Sequence, residues 1–379
     1  MSTNSQHINE HAFLADPQPD DTSAFDHLVG QEMQSLEIRA EARRRIDERE
    51  ARRLFEPFAI SSLAEIRARP PKPMHRIQGL IPARANTVIT APRKVGKTTF
   101  VVNAVWSLAT GEPFLGRFEV RPISGVVVLL NFELDEDQLA SWAAAVGVPD
   151  HKLYVVTLRG RHNPFRSGFE LDQLATSLRK IGTEVIIPDP FARAFSGESE
   201  NDTTAVARFL DGLDEFARSA VGAEDLIMPV HAGWAGGQER ARGASSLEGW
   251  ADSILNLLLA DEKDVTSPRF MRAFGRDVDV TEDRLAFDPA TRRLTLTGDG
   301  NRKRAVQEDK DRDLDTSTLQ AIGDNSGCNL STLITLLRGM GVRAGNTATS
   351  ASVRRLEVRG LVHNDPGARG AWSLTRVQR

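Results

Sequence analysis

The sequence has almost no cysteine and no long apolar run. Cys328 is the single cysteine among the 379 residues, so no disulfide can form within one chain, and no His, Cys and carboxylate cluster has the spacing of a zinc site. A reducing cytoplasm is therefore the expected compartment. No stretch reaches the length of about 18 apolar residues that a membrane-spanning helix needs, and the polar start MSTNSQHINEHAF lacks a signal-peptide pattern. We therefore expect no membrane association.

Composition divides the chain into five segments. Residues 1–30 are polar with Asp-Pro breaks and are predicted to be disordered. Residues 31–74 are predicted to form a helical arm, because Glu and Arg recur at helical spacing and Ser62-Leu-Ala-Glu65 has the spacing of a capping box. The charged helix of this arm is either simply exposed to solvent, or it is a surface for oligomerisation or for DNA binding. Residues 75–298 form the predicted main domain, 299–315 a charged linker, and 316–379 a second small domain.

Apolar runs of strand length alternate with amphipathic stretches through the main domain. The run GVVVLLNF (125–132) is apolar except for Asn131 near its end, which is typical of a strand buried on both faces. The alternation predicts an α/β fold with a mostly parallel sheet. The other strand-like runs are NTVITA (86–91), KLYVVTL (152–158), TEVIIPD (183–189), DLIMPVH (225–231) and SILNLLLA (253–260), and RLAFDPATRRLTLTG (284–298) is predicted to be an edge hairpin.

The strongest motif is a phosphate-binding loop between the first long strand and the helix FVVNAVWSLAT. In a P-loop, backbone N–H groups and the helix N-terminus bind phosphate oxygens. Gly96 lets the backbone approach closely, Lys97 reaches the β- and γ-phosphates, and the Thr98 hydroxyl ligates Mg²⁺. Ala91 replaces the usual first glycine, which a backbone with negative φ tolerates. The predicted ATP-binding residues are Ala91, Pro92, Arg93, Lys94, Val95, Gly96, Lys97, Thr98 and Thr99.

Two carboxylates at strand ends complete the predicted chemistry. Asp189 ends the apolar run TEVIIPD and is the candidate Mg²⁺-binding residue of a Walker B strand. The following residue is Pro190, where many P-loop ATPases carry a catalytic Glu. Glu133, on the strand expected next to the P-loop strand, is therefore the candidate general base. The alternatives are a helix cap for Glu133 and a surface turn for Asp189.

Other candidates lie at and beyond the next strand end. His231 is either a sensor of the γ-phosphate or a structural histidine. The Gly-rich basic stretch 233–246 offers Arg240 and Arg242 as a finger that reaches a neighbouring subunit's phosphate. Arg272 and Arg276 compete for that role, and surface charge is the alternative for each of the four.

Together, IQGLIPARANTVITAPRKVGKTT, NFELDEDQL, VIIPDPFARAF, MPVHA and ARGASSLEGWADSILNL resemble the RepA-like family of RecA-fold AAA ATPases. The resemblance covers about residues 75–297. It implies ATP and Mg²⁺ as ligands, Glu133 as catalytic carboxylate, Asp189 as Walker B residue, His231 as sensor and Arg242 as trans-acting arginine. It also implies a ring-forming homo-oligomer, such as a hexamer. Ala91, and Ala232 where relatives often carry a second His, depart from the family pattern.

The last segment is basic, although the chain carries a net charge of −4. Residues 315–379 contain eight Arg, four acidic residues and no Lys, so they carry +4 and leave −8 on the rest. Their pattern is similar to winged-helix domains, in which a helix enters the DNA major groove. The candidate DNA-binding residues are Arg343, Arg354, Arg355, Arg359 and Arg369. A protein-binding winged helix or a lid on the ATPase domain is the alternative.

Two functions follow as hypotheses. The first is an ATP-hydrolysing DNA motor of the replicative or phage helicase type, which contacts single-stranded DNA through the ring and duplex DNA through the winged helix. The second is a DNA-binding regulator of replication or transcription that ATP switches without unwinding.

Overall fold

The computed structural model describes residues 19–54, 59–231, 242–261, 264–364 and 371–374. The chain divides into two compact units, Met1–Pro71 and Lys72–Arg379, and the division falls inside the segment RPPKP. Among the described residues, no helix is both long and apolar enough to cross a bilayer.

The first unit contains helix α1 (Pro19–Leu54) and helix α2 (Leu63–Ala68). The capping box predicted at α2 is confirmed, since Ser62 Oγ accepts from the Glu65 N–H at 3.2 Å and Glu65 Oε2 accepts from the Ser62 N–H at 2.7 Å. The prediction of disorder through residue 30 is wrong from Pro19 onward. Proline is favourable as the first residue of a helix, because the N–H that it lacks would have no hydrogen-bond partner within the helix at that position.

The second unit contains the remaining elements. Its strands are β1 (His75–Ile77), β2 (Ile81–Pro82), β3 (Asn86–Ala91), β4 (Val126–Asn131), β5 (Leu153–Thr157), β6 (Thr183–Asp189), β7 (Asp225–His231), β8 (Ser253–Leu259), β9 (Arg269–Gly275), β10 (Val278–Phe287), β11 (Leu294–Leu296), β12 (Val362–Asn364) and β13 (Trp372–Leu374). Its helices are α3 (Lys97–Thr110), α4 (Glu136–Val146), α5 (Gly168–Lys180), α6 (Phe191–Ala194), α7 (Thr203–Asp214, continued by a π-helical segment Glu215–Val221), α8 (Arg242–Trp250), α9 (Arg302–Asp324), α10 (Leu330–Gly339) and α11 (Asn346–Val358).

A nine-stranded sheet organises this unit, in the order β11-β10-β9-β8-β3-β7-β6-β4-β5. The strands from β8 to β5 run parallel, and β9, β10 and β11 add antiparallel strands at one edge. The predicted α/β fold with a mostly parallel sheet is confirmed, as is the edge hairpin of β10 and β11.

Both faces of the sheet are covered. Ile89 and Leu129 pack with α3 and α4 on one face, while Val88 and Leu130 pack with α5 and α7 on the other. Successive residues of a strand point to opposite faces, so a strand covered on both sides must be apolar throughout. This explains why β4 reads as one continuous apolar run.

The predicted linker 299–315 is wrong, because most of it forms the first half of α9. Asn301 caps the helix by accepting from the Arg304 N–H at 3.0 Å. Arg304 and Glu308 then form an i,i+4 ion pair at 2.8 Å. Charged residues at this spacing stabilise an exposed helix without any apolar face, which composition alone does not distinguish from a linker.

The C-terminal elements pack around a small core of their own. It joins α9, α10, α11 and the hairpin of β12 and β13 through Ala321, Ile322, Cys328, Leu333, Leu337, Val353, Leu356 and Val362. Cys328 forms an isolated antiparallel bridge with Trp372 of the hairpin. The first helix of this group is the end of the long α9, so the predicted boundary at residue 316 falls inside a helix.

Candidate functional site

The P-loop lies between β3 and α3. Ala91 is the last residue of β3 and is fully buried in extended backbone, so its Cβ causes no strain. The chain turns through two residues with positive φ, Lys94 at 64° and Gly96 at 102°. Gly96 is the N-cap of α3 and provides no side-chain cap. The first N–H groups of α3 are therefore available to an anion, and the helix dipole favours one there.

Parallel strands bring the other candidates to the same edge of the sheet. Ala91 is paired in register with His231, and Asn131 with Asp189. The carboxyl ends of β3, β7, β6 and β4 therefore lie side by side, where an open α/β sheet binds its ligand.

Lys97 is buried and contacts His231. The distance from Lys97 Nζ to His231 Nδ1 is 2.9 Å. Burial lowers the pKa of Lys97, although the charges of Asp189 and Glu133 oppose that shift. Burial also lowers the pKa of His231, and the positive charge of Lys97 lowers it further. The neutral imidazole thus accepts a hydrogen bond from the lysine ammonium.

Thr98 and Asp189 form a pair of oxygen donors. The Thr98 hydroxyl donates to Asp189 Oδ2 at 3.1 Å. Burial raises the pKa of Asp189 to about 6, against the opposing effects of Lys97 and the Thr98 hydrogen bond. Two hard oxygen atoms beside an anion-binding helix end are a donor set that Mg²⁺ accepts together with phosphate oxygens. The residues present therefore fit the predicted metal.

Glu133 lies in the loop between β4 and α4. Its charge acts on the pKa values of Lys97, Asp189 and His231, so it faces the same site. The prediction that its strand lies next to the P-loop strand is wrong, because β7 and β6 separate β3 from β4. The helix-cap alternative fails as well, because Asp135 caps α4. The structure adds Arg193, whose Nε lies 3.9 Å from Glu133 Oε1.

The arginine candidates are dispersed. Arg242 is the first residue of α8, and Arg240 lies outside the described residues. Arg272 on β9 is paired with Asn256, which is level with Thr90 near the carboxyl end of β3. Arg276 lies at the opposite end, where it binds Asp252 at 2.7 Å. The structure therefore separates Arg276 from the nucleotide-binding edge.

The C-terminal arginines differ among themselves. Arg343 and Arg354 are exposed, whereas Arg355 donates to the buried Asp315 at 2.7 Å and Arg359 lies 3.3 Å from the same carboxylate. Although burial opposes it, hydrogen bonds from Arg355 and Ser352 hold the pKa of Asp315 below its usual value. Arg355 is thus engaged within the protein, which weighs against its predicted role in DNA binding. Arg369 lies outside the described residues.

Sequence reasoning missed two arginines beside the P-loop. Arg269 at the start of β9 and Arg292 in the turn between β10 and β11 line a cavity that Gly96 and Thr99 also line. Neither residue belongs to a local motif, and Arg292 is separated from Thr99 by 193 positions. No signal in the sequence connects them.

Comparison with known proteins gives one matching family. Comparison with curated protein sequences gives no significant match. Among solved structures, a KaiC-like protein from the archaeon Pyrococcus horikoshii OT3 is similar to this chain with a TM-score of 0.43 and 17% sequence identity, over 59% of this chain and 93% of that chain. The family AAA_25, described as an AAA domain, matches residues 50–237. Together with the P-loop geometry, this match supports an ATP-binding P-loop ATPase domain in that part of the chain.

Proposed function

We propose that the protein hydrolyses ATP at this site and uses the reaction as a DNA-associated motor. The observation that carries the first part is that three side chains at or just beyond the ends of β4, β6 and β7 meet two side chains in the first turn of α3. They are Lys97, Thr98, Glu133, Asp189 and His231. Positioning and charge stabilisation are what phosphoryl transfer requires from a protein.

The N-terminus of α3 and Lys97 bind the phosphates. An ammonium group has three N–H donors, and Lys97 gives one of them to His231, so others remain for phosphate oxygens. Mg²⁺, when bound beside Thr98 and Asp189, supplies positive charge to those oxygens. The partial desolvation of Lys97 strengthens its interaction with an anion.

Glu133 accepts the proton of the attacking water. Its carboxylate is 45% exposed, so water reaches it, and its position beyond β4 keeps it on the ligand side of the sheet. Arg193, with its Nε 3.9 Å from Glu133 Oε1, places a positive charge beside this carboxylate. A general base needs an available carboxylate within reach of the water proton, and Asp189 is unsuited because it is buried and bonded to Thr98.

His231 responds to the interaction of Lys97 with phosphate. It ends β7 and bonds directly to the lysine that contacts phosphate. A change in the charge near Lys97 therefore alters its hydrogen bond with His231. His231 ends β7 and precedes Arg242 in the sequence. This supports the predicted sensor role.

The Glu133→Gln variant tests the assignment of the base. Glutamine keeps the size of the side chain but cannot take a proton, so we expect nucleotide binding to persist while turnover falls by about 10²–10⁴-fold. Glu136→Gln is the matched control, because Glu136 is also exposed, lies three residues later, and accepts a hydrogen bond from the Thr157 hydroxyl instead. Wild-type turnover by Glu133→Gln would contradict the assignment.

The C-terminal elements support the association with DNA. Three helices followed by an antiparallel hairpin, with a bridge from Cys328 to Trp372, have the order of a winged helix, and we interpret them so. Arg354 on α11 and Arg343 just before it are exposed and available to phosphates.

ATP turnover with and without single-stranded DNA, measured together with the native mass, tests the motor. We expect stimulation by single-stranded DNA and a mass of several subunits, such as a hexamer. The ATP-switched regulator would be favoured instead if single-stranded DNA does not change ATP turnover and the protein binds duplex DNA tightly and sequence-specifically.

A further inference from the structure

Helix α1 has an apolar face that the described part of the chain leaves exposed. The face consists of Phe25, Val29, Met33, Leu36 and Ala40, which follow one another at steps of three or four residues and therefore lie on one side of the helix. The exposed fraction is 65% for Phe25, 57% for Met33 and 55% for Leu36. Large apolar side chains in a continuous row on a surface mark a site of interaction.

The length of α1 also requires a partner. The helix has 36 residues, and most of the stability of helices in proteins comes from packing of an apolar face. Its described side chains are exposed except for Ser35 and Glu41, which are half-buried. Glu41 pairs with Arg44 and Arg45 of the same helix, at 2.9 and 2.8 Å. These ion pairs support the helix locally but leave its apolar face open.

The charges of α1 are divided between its two halves. Residues 19–37 contain five Asp or Glu and no Lys or Arg, whereas residues 38–54 contain seven Arg and four acidic residues. The first half therefore carries −5 and the second half +3. Two parallel copies of this helix would place like charges together, and two antiparallel copies place the acidic half of each beside the basic half of the other. Such complementarity selects one orientation over the other.

One antiparallel register matches both the apolar face and the charges. If the two-fold axis passes between residues 32 and 33, Phe25 lies level with Ala40 of the second copy, and Val29 lies level with its Leu36. The same register places residues 19–27, with three acidic residues and no Lys or Arg, level with residues 38–46, with four Arg and one Glu. A charge of −3 thus lies beside a charge of +3.

We propose that α1 is a dimerisation helix that pairs antiparallel with α1 of a second copy of this chain. The pair overlaps over residues 19–46, which is about 42 Å of helix. This contact has two-fold symmetry, so each copy contributes the same surface. An arginine that completes the ATP site of the next subunit in a ring requires a head-to-tail contact instead. The α1 pair is therefore a second interface, separate from the one proposed for Arg242.

Thiol crosslinking of the full-length protein tests the pair and its direction. The parent protein is the background control, because its single cysteine, Cys328, is buried. Met33→Cys places a thiol beside the two-fold axis, so a short crosslinker that joins two thiols should convert most of the protein into covalent dimers. Phe25→Cys should give few dimers, because the two copies of residue 25 lie about 22 Å apart along the pair. The double variant Phe25→Cys with Ala40→Cys should crosslink again.

Two further substitutions, each added to Met33→Cys, test the apolar face. Leu36→Glu places a charge in the contact without a partner, so we expect pairing to weaken at least about tenfold. Ile38→Glu is the matched control. Ile38 is 61% exposed and lies on the opposite side of the helix from Leu36, so crosslinking should be unchanged.

The other outcomes overturn the proposal. Equal crosslinking of the Met33→Cys and Phe25→Cys variants would indicate a parallel pair, and no crosslinking beyond that of the parent would show that α1 does not bind a second copy. Equal effects of Leu36→Glu and Ile38→Glu would show that the apolar face is not the contact. The crosslinking needs no nucleotide, so its result is independent of whether the chain hydrolyses ATP.

Discussion

Asp189 is a carboxylate at the end of a buried strand. It is the last residue of β6 and is buried at 7% exposure. Water cannot stabilise its charge there, and burial therefore raises its pKa to about 6 despite the nearby Lys97. The ionised form of this carboxylate is therefore less stable in the folded protein than in water.

Asp189→Asn should stabilise the nucleotide-free protein near neutral pH. The folded pKa of about 6 exceeds the ordinary value of 3.8, so the folded state holds this proton more tightly. Its contribution to stability is full below about pH 4 and is lost as the pH rises through about 6. We expect a gain of about 2–3 kcal/mol for Asn at about pH 7.5.

Urea unfolding without Mg²⁺ at several pH values between about 5 and 7.5 measures this gain. It should shrink toward the acid end of the range, where the wild-type carboxyl is protonated. A difference that does not change with pH, or an Asn variant that is the less stable at about pH 7.5, would show that burial does not control this carboxylate.

At the scale of elements, two neighbouring arginines of α11 have different environments. Arg354 faces solvent, whereas Arg355 binds the buried Asp315 of α9 together with Ser352. An ion pair between two helices with a buried carboxylate fixes their packing, and removal of Arg355 leaves Asp315 with only the weaker contact to Arg359 and the hydrogen bond from Ser352.

Alanine at each of these two positions should separate the tasks. Arg355→Ala is expected to lower stability by about 1–3 kcal/mol, because Asp315 loses its main partner. Arg354→Ala should leave the melting temperature unchanged and reduce the salt dependence of DNA binding by about one phosphate contact. Thermal melting and DNA titration at several salt concentrations measure both. Equal effects of the two variants on DNA affinity would argue against this division.

The strands could be predicted from the sequence because both faces of the sheet are covered. β4 is apolar as far as Asn131, and β6 is apolar over residues 185–188 before it ends at Asp189. Each apolar run thus ends at a polar residue on the ligand edge. Their order could not be predicted, since an apolar run does not specify its neighbour. For this reason the sequence pattern predicts that the strand before Glu133 is the neighbour of the P-loop strand, whereas in the structure it is the third strand from it.

The cavity beside the P-loop could not be predicted from the sequence for a related reason. Arg292 meets Thr99 and Trp142 only because the hairpin of β10 and β11 folds back over α3. Contacts of this kind depend on the tertiary fold and leave no local pattern. The start of α9 could not be predicted either, because a helix stabilised by charged i,i+4 pairs has the same composition as a solvated linker.

At the scale of the whole molecule, the proposed assembly depends on Arg242. The resemblance that assigns it a trans-acting role implies that one subunit completes the site of the next. Its position at the start of α8, a short distance along the chain from His231, is compatible with a response to bound nucleotide.

Mixing two inactive variants tests action in trans. Arg242→Ala keeps its own Glu133, and Glu133→Gln keeps its Arg242, so a mixed assembly contains some interfaces with both residues intact. We expect ATP turnover of the mixture to exceed that of either variant alone. A mixture that forms mixed oligomers but remains as inactive as its components would place the finger elsewhere or in cis.

The central claim is that the N-terminus of α3, with Lys97, binds the phosphates of a nucleotide. Calorimetric titration of the full-length chain with Mg²⁺ and AMP-PNP tests it most directly. The account predicts saturable binding near one site per chain, weakened at least about 100-fold in Lys97→Ala, because a buried charge-assisted contact to phosphate is lost. No binding heat in the wild type, or equal affinity in Lys97→Ala, would contradict it.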